Sequence, residues 1–341
     1  METAKAISNL SFDIGDFKFI FRAGVWKPRT SPNTFQGAGE AALGWLQEVK
    51  AQFGIPVATE VATPEHVEAA LRAGIDYLWI GARSSATPIV VQSLADALGA
   101  QNTEHRTQTG LQGVLIKNPV NADAALWLGN IERIEKAVYG VGCKVYAIHR
   151  GCNHQPCWAM AHAVRTARPD IPMLLDPSHM SGEAEKVPEL MGKIAELGLD
   201  GAMVEVHTHP EAALSDRKQQ IRPDELRIQN TEHRTQTDHV CTLSAEGGLY
   251  SVSDVVELNW LRAEIDELDE QLWDTIAARM DVSRRIGEWK KAHGVAPLQP
   301  ERYQEIVKRI QNTDRFTDRA QIDFALRLYD LIHKESLNQQ V

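Results

Sequence analysis

The sequence predicts an α/β barrel of parallel strands followed by a separate all-helical domain, and three observations lead there. Seven short apolar runs in the first two thirds of the chain, FIFRAG, IPVATE, DYLWIGAR, GVLIKNP, KVYAIHRG, IPMLLDPSH and GAMVEVH, each finish on a polar tip. They begin near Phe17, Ile55, Asp76, Gly113, Lys144, Ile171 and Gly201, at intervals of roughly thirty residues, the length of one strand-plus-helix unit. Beyond about Pro223 that rhythm stops, and from Val255 an apolar pattern in steps of three and four takes over. Strands alternating with helices require a parallel sheet, and the even repetition favours closure into a barrel over an open sheet. Seven runs are one short of the eight that close such a barrel.

Between the runs, GEAALGWLQEVKAQFG, TPEHVEAALRAG, ADAALWLGNIERIEKAVYG and EAEKVPELMGKIAELG carry helical patterns. Residues 1–223 are therefore assigned to the barrel, the polar and turn-rich residues 224–252 to a linker, and residues 253–341 to the helical domain. There Leu258, Leu261, Ile265, Leu268, Leu272, Ile276, Ile286 and Trp289 keep helical spacing, so one helix runs to the stop at His293, Gly294 and Pro297. Two shorter helices are expected around 301–311 and 318–340. A domain of this size built on one very long helix cannot cover that helix alone, so an intertwined second copy, a homodimer, is expected. The nonapeptide QNTEHRTQT occurs at 101–109 and again at 229–237, both in predicted loops. Two copies do not make a solenoid, and no function attaches to them.

The 341 residues carry 36 basic and 46 acidic side chains, a net charge of −10, which argues against a nucleic-acid partner or an anionic-membrane surface. With no apolar leader in METAKAISNLSFDIGD and no membrane-length apolar stretch, the expected location is the cytoplasm. Four scattered cysteines, Cys143, Cys152, Cys157 and Cys241, read as reduced thiols. Cys152, His154 and Cys157 lie close together in GCNHQPC, but at no standard zinc spacing.

At the predicted strand ends stand Arg22, Lys27, Arg29, Arg83, Lys117 and Arg150. Six cations converging on one mouth imply a small, phosphorylated, multiply anionic substrate; the alternative is that each pairs with a nearby carboxylate. Alongside them, His179, Glu205 and Asp216 offer an imidazole and two carboxylates, a donor set suited to Mn²⁺, Fe²⁺, Co²⁺ or Zn²⁺. Glu60 ends the ATE strand, where it either orients water or a cation or pairs with the mouth lysines.

KPRTSP, the GAR after DYLWI, LIKNP, IHRG, DPSH, MVEVH and ALSD, in this order over roughly residues 1–220, resemble 3-deoxy-D-arabino-heptulosonate 7-phosphate (DAHP) synthases. The resemblance implies condensation of phosphoenolpyruvate with erythrose 4-phosphate. It implies that Arg83, Lys117 and Arg150, with Arg22 and Lys27, hold phosphoenolpyruvate, that Arg29 and Thr30 hold erythrose 4-phosphate, and that His179, Glu205 and Asp216 bind a divalent metal. Members of that family open with a strand ending in a Gly-Pro-Cys-Ser-like motif, whose cysteine is a further metal ligand. Here the sequence begins inside the following helix, METAKAIS. The expectation is thus a (β/α)8 TIM barrel lacking its first strand, with a three-ligand metal site.

On the long helix, Arg279 and Lys290 are eleven residues apart, close to three full turns, and share a face ~16 Å apart along the axis. Arg262, about 25 Å before Arg279, cannot reach the same ligand within one chain but can do so from an antiparallel partner. LRAEIDELDEQLWDTIAARM, RRIGEWKKAHG, PERYQEI and HKESLNQQ, over about residues 255–341, resemble the all-helical chorismate mutases. That resemblance implies a site shared by two subunits and free of any cofactor. Arg262 from the partner and Arg279 would bind carboxylates, Lys290 and Gln340 would donate to the ether oxygen of chorismate, Arg302 would support the site and Ser336 would line it. Where many relatives carry an acidic pair facing the substrate hydroxyl, this sequence has Gln299 and Tyr303. The expectation is a fusion of a DAHP synthase, a transferase, with a chorismate mutase, an isomerase. The alternatives are a mutase with a catalytically dead barrel serving as a regulatory scaffold, and a truncated product that is neither enzyme.

Overall fold

The computed structural model describes residues 1–8, 19–29, 31–104, 110–226, 242–243, 249–250 and 252–340. Seven strands form one parallel sheet in chain order: β1 Phe21–Arg22, β2 Val57–Val61, β3 Tyr77–Ile80, β4 Gly113–Lys117, β5 Lys144–His149, β6 Met173–Leu175 and β7 Gly201–Ala202. These are the seven predicted runs, and among the described residues no ladder joins β7 back to β1. The register steps along the sheet, with Glu60 opposite Trp79, Leu115 opposite Tyr146 and Ile148 opposite Leu174. Within the predicted linker, β8 Thr242–Leu243 and β9 Leu249–Tyr250 pair antiparallel.

The helices are α1 Glu2–Ser8, α2 Ala41–Phe53, α3 Pro64–Arg72, α4 Ala82–Ser85, α5 Pro88–Glu104, α6 Ala124–Ala137, α7 Trp158–Ala167, α8 Pro177–Ser181, α9 Val187–Glu196, α10 Val252–Ala292, α11 Pro300–Gln311 and α12 Arg319–Asn338. Local chemistry sets their ends. Thr63 caps α3 ahead of Pro64, Asp123 accepts from Leu126 N at 2.8 Å to start α6, and Asp318 accepts from Gln321 N at 2.8 Å to start α12. The first four residues of the nonapeptide extend α5 instead of forming a loop, while 105–109 and the second copy lie outside the described residues.

Alternate strand residues pack outward against the helices. Val57, Leu78, Ile80, Val114, Ile116 and Ala147 join Leu46, Val67, Leu94, Ile131, Ile134 and Val164 in the main core. Each of these valine, leucine and isoleucine side chains contributes about 1.5–3 kcal/mol by leaving water. His149 also faces outward, between the rings of Trp127 at 6.2 Å and Trp158 at 5.3 Å, so it is a core histidine.

The chain divides into two compact units, Met1–Glu264 and Ile265–Val341, and the division falls inside α10. The opening turns of α10 belong to the first unit. Trp260 is buried there, its indole donates to Leu197 O at 3.1 Å, and it stacks on His162 of α7 at 5.3 Å. The two nitrogens of His162 lie 2.5 Å from Glu264 Oε1 and 3.1 Å from Glu257 Oε2, so one face of α10 grips that ring. In the second unit the rest of α10 meets α12: Arg279 bonds Ser336, and Lys290 reaches Gln340 just past the end of α12. Ile265, Leu268, Leu272, Ile276, Arg279, Ser283, Ile286 and Lys290 share one helical stripe. Its far end is buried at Ser283 and Lys290, whereas Ile265, Leu268 and Leu272 are exposed by 60%, 62% and 41%.

Candidate active sites

The period-two alternation of the strands builds the barrel site. Ile20, Ala58, Trp79, Leu115, Ile148, Leu174 and Met203 face the interior and form its apolar layer. Two residues further along each strand, the next inward positions are Arg22, Glu60, Gly81, Lys117, Arg150, Asp176 and Glu205. Six of the seven are charged, three positive and three negative.

Arg22 donates to Glu205 and lies over the Trp79 ring at 5.2 Å. Lys117 donates to Asp176 at 2.6 Å, with both side chains buried. Lys27 donates to Ser215 at 2.5 Å and to Asp216 at 2.6 Å, while Arg29 closes on both Asp216 oxygens at 3.1 and 3.0 Å. Arg83 donates to Pro28 O at 3.2 Å and Arg150 to His179 O at 3.5 Å. Four of the six predicted cations are thus held by carboxylates, as the alternative reading had it. Six cations against the four carboxylates Glu60, Asp176, Glu205 and Asp216 leave a net excess of two charges rather than six. Thr30 lies outside the described residues.

The pairing fixes the protonation states. Burial favours the neutral form of Glu205, but Arg22 and then His179 outweigh it and push the carboxyl down to about 2. Asp176 and Asp216 likewise stay ionised well below the usual carboxylate range. His179 and Lys117 overcome burial at Asp176, and the hydrogen bonds of Arg29 and Lys27 do so at Asp216. Glu60 is the exception: burial raises it in spite of Lys117 and Arg22, and among the described residues no ion pair holds it. A side chain at Gly81 would collide with the Glu60 carboxylate, so glycine at that inward position is what admits the group.

A metal can be tested against the donors present. Asp176 takes Nδ1 of His179 at 3.0 Å, which turns Nε2 towards Glu205 Oε1, 3.9 Å away. A carboxylate behind an imidazole with its second nitrogen beside another carboxylate is an oriented two-donor corner. Asp216 does not complete it, because Arg29 and Lys27 neutralise that carboxylate, and among the described residues no group of three His, Cys, Asp or Glu is placed to hold an ion. The expected three-ligand set is therefore two donors and a captive third. Among the described residues, Cys152, His154 and Cys157 form no group placed to hold an ion either. Burial pushes the Cys143 thiol up to about 12, away from thiolate chemistry.

Asp176 is the functional residue that sequence reading passed over, although it joins Lys117 to His179. Its signal was the alternation itself, since it stands two places after inward Leu174. Ser178 and Asn118 act beside it: Ser178 Oγ accepts from Glu205 N at 3.0 Å, and Asn118 Oδ1 accepts from Arg150 N at 2.7 Å.

In the helical unit, Arg279 bonds Ser336 Oγ and the Ile332 carbonyl and lies over the Tyr329 ring at 6.0 Å. Lys290 donates to Pro297 O at 2.5 Å and to Gln340 Oε1 at 3.0 Å. That bond fixes the amide flip, leaving Gln340 Nε2 to donate and Lys290 a third proton. Gly287 brings the C-terminus this close, because any side chain there would strike the Gln340 backbone. Arg279, Lys290, Ser336 and Gln340 are thus brought together. Arg302 is instead exposed and pairs with Glu305 at 2.7 Å, and Arg262 is exposed on the part of α10 that belongs to the other unit. Tyr303 reaches Asp330 at 3.4 Å.

The sequence model described as the DAHP synthetase I family matches residues 1–241. The chain belongs to that family. The chorismate mutase type II model matches residues 261–341, C-terminal to the DAHP synthetase I segment. That segment is 30% identical over 231 residues to the phospho-2-dehydro-3-deoxyheptonate aldolase of Thermotoga maritima, covering 65% of this chain and 60% of that protein. The chain therefore spans less than two thirds of that relative's length. A crystal structure of the Thermotoga maritima DAHP synthase superposes with a TM-score of 0.53 at 27% identity, over 65% of this chain and 60% of that one. The mutase segment is 40% identical over 81 residues to the 4-amino-4-deoxychorismate mutase of Streptomyces venezuelae, covering 23% of this chain and 76% of that protein. Together these matches place the inward charged ring in a DAHP synthetase I barrel and the Arg279–Lys290–Gln340 cluster in a mutase-type helical unit.

Proposed function

We propose that the chain carries two activities of aromatic amino acid biosynthesis. The barrel condenses phosphoenolpyruvate with erythrose 4-phosphate to DAHP, and the helical unit rearranges chorismate to prephenate. The observation that carries the first is the inward ring of Arg22, Lys117 and Arg150 among carboxylates, at the polar ends of a DAHP synthetase I barrel. Lys117 and Arg150, with Arg83, Arg22 and Lys27, are assigned to phosphoenolpyruvate. Arg29, whose fork closes on a carboxylate, has the shape to take a phosphate, and with Thr30 it is assigned to erythrose 4-phosphate. Holding both anions in attack geometry contributes about 7–11 kcal/mol of barrier lowering. Glu60 is assigned to orienting the attacking water.

A divalent ion, Mn, Fe, Co or Zn, is the cofactor assigned to the barrel; when bound it polarises the aldehyde oxygen as a Lewis acid. His179 and Glu205 are the residues that would hold it, with Asp176 fixing the imidazole. The helical unit needs no cofactor: Arg279 takes a carboxylate, and Lys290 and Gln340 donate to the ether oxygen as charge develops there. The exposed Ile265, Leu268 and Leu272 fit a second copy of the chain, which would also supply Arg262 to the site.

The test is direct. Purified full chain with added Mn²⁺ should consume phosphoenolpyruvate only when erythrose 4-phosphate is present, and should convert chorismate to prephenate in a separate assay. No phosphoenolpyruvate loss with any of the four metals, alongside normal mutase turnover, sinks the barrel half alone.

A further inference from the structure

His333 stands inside the helical site without a part in the chemistry above. It lies on α12 one turn before Ser336, on the same face, and its Nε2 is buried with no hydrogen-bond partner. A buried nitrogen left unpaired is costly, and such groups in native proteins are rare enough to need an explanation. Its neighbours hold the ring in place: Tyr303 at 4.8 Å and Tyr329 at 5.9 Å between ring centroids. Burial first, then Arg279 and Lys290, lower the affinity of the imidazole for a proton against the opposite pull of Asp330, which favours the neutral ring.

The hydrogen-bonding capacity of the neighbouring groups decides which substrate atom this nitrogen serves. Chorismate offers two carboxylates and an ether oxygen, which only accept hydrogen bonds, and one ring hydroxyl, which both gives and takes one. Arg279 and Lys290 can only donate, and Gln340 has its carbonyl engaged by Lys290. These three suit the acceptors. An uncharged imidazole nitrogen pairs with a hydroxyl in either tautomer. Tyr303 occupies the position where an acidic side chain was expected, but its hydroxyl is turned to Asp330 at 3.4 Å. We infer that His333 Nε2 binds the ring hydroxyl of the substrate in the helical site, with Tyr303 positioning the imidazole. This deepens, and rests on, the chorismate reading of that site.

Steady-state kinetics of the full chain on chorismate, and on an analogue with hydrogen in place of the ring hydroxyl, provide the test. Replacing His333→Leu should raise KM for chorismate about tenfold with kcat changed less than about threefold, while leaving the analogue's kinetics as in the wild type. His333→Gln, which keeps a donor and an acceptor, should return KM to within about threefold, and it serves as the decisive variant if the leucine protein does not fold. An unchanged KM in His333→Leu, or equal losses on both substrates, overturns the inference and makes the residue a packing element. A wild-type chain that does not rearrange chorismate at all overturns the underlying reading, a result plainly different from an active wild type with an indifferent variant.

Discussion

Replacing Gly287→Ala should separate activity from stability in the helical unit. A Cβ added there would lie 2.5 Å from Gln340 Cα, 2.9 Å from its carbonyl oxygen and 3.0 Å from its Cβ. Carbon atoms settle at about 3.5–4.0 Å, so Gln340 must retreat by about 1 Å. Lys290 Nζ and Gln340 Oε1 are 3.0 Å apart, and such a retreat takes them beyond hydrogen-bond reach. Losing that bond to a charged donor costs about 1.5–3 kcal/mol, while alanine in a helix interior returns about 0.5–1 kcal/mol over glycine. The net loss of stability is therefore about 0.5–2.5 kcal/mol. The catalytic loss is larger, because the Gln340 amide is carried away from the developing charge on the ether oxygen. Removing one preorganised donor of that kind lowers kcat by about 10²–10³. Chorismate consumption measures the second effect, a urea titration the first, and DAHP formation by the same protein serves as an internal control that should not change. Full mutase turnover in the variant would refute the assignment of Gln340.

Three further outcomes are expected. Asp176→Asn leaves buried Lys117 without its counter-charge and should lower stability by about 3–5 kcal/mol in chemical denaturation as well as abolish DAHP formation; a neutral stability effect would show that the pair is not buried in solution. Burial pushes His149 down to about 3, below its unfolded value near 6.5, so its contribution is complete above pH ~6.5 and is lost as the pH falls towards about 3. Between pH 7 and pH 5 that amounts to about 2 kcal/mol, which His149→Leu should remove from the pH dependence of urea unfolding; an identical pH profile in the variant contradicts it. Leu268→Glu places a charge on the exposed stripe of α10 and should yield a monomer in sedimentation together with loss of mutase turnover, whereas an intact, active dimer would rule out that face as the contact.

Much of the barrel was legible because its information is local. The apolar runs, their polar tips and their spacing depend on residues a few places apart, and all seven strands fall where the sequence put them. The ends of α10, α11 and α12 were equally readable, since proline, glycine and capping aspartate act within one turn. The grip of α10 on the barrel was not. Trp260 reads as one more apolar position on a long helix, and only the docked structure shows its indole bonded to Leu197 and its ring on His162.

The site divides in the same way. Residue type and strand or helix period marked, from the sequence alone, Arg22, Glu60, Lys117, Arg150 and Glu205 for the barrel mouth and Arg279, Lys290, Ser336 and Gln340 for the helices, but passed over Asp176 and counted in Arg302, which pairs with Glu305 instead. Tertiary structure alone decided which charges cancel: Arg22 with Glu205 across 183 residues, Lys27 with Asp216 across 189, Lys117 with Asp176 across 59. The physical reason is that an ion pair depends on a few ångströms of separation, and no local pattern encodes the separation of strands that meet only when the sheet curls.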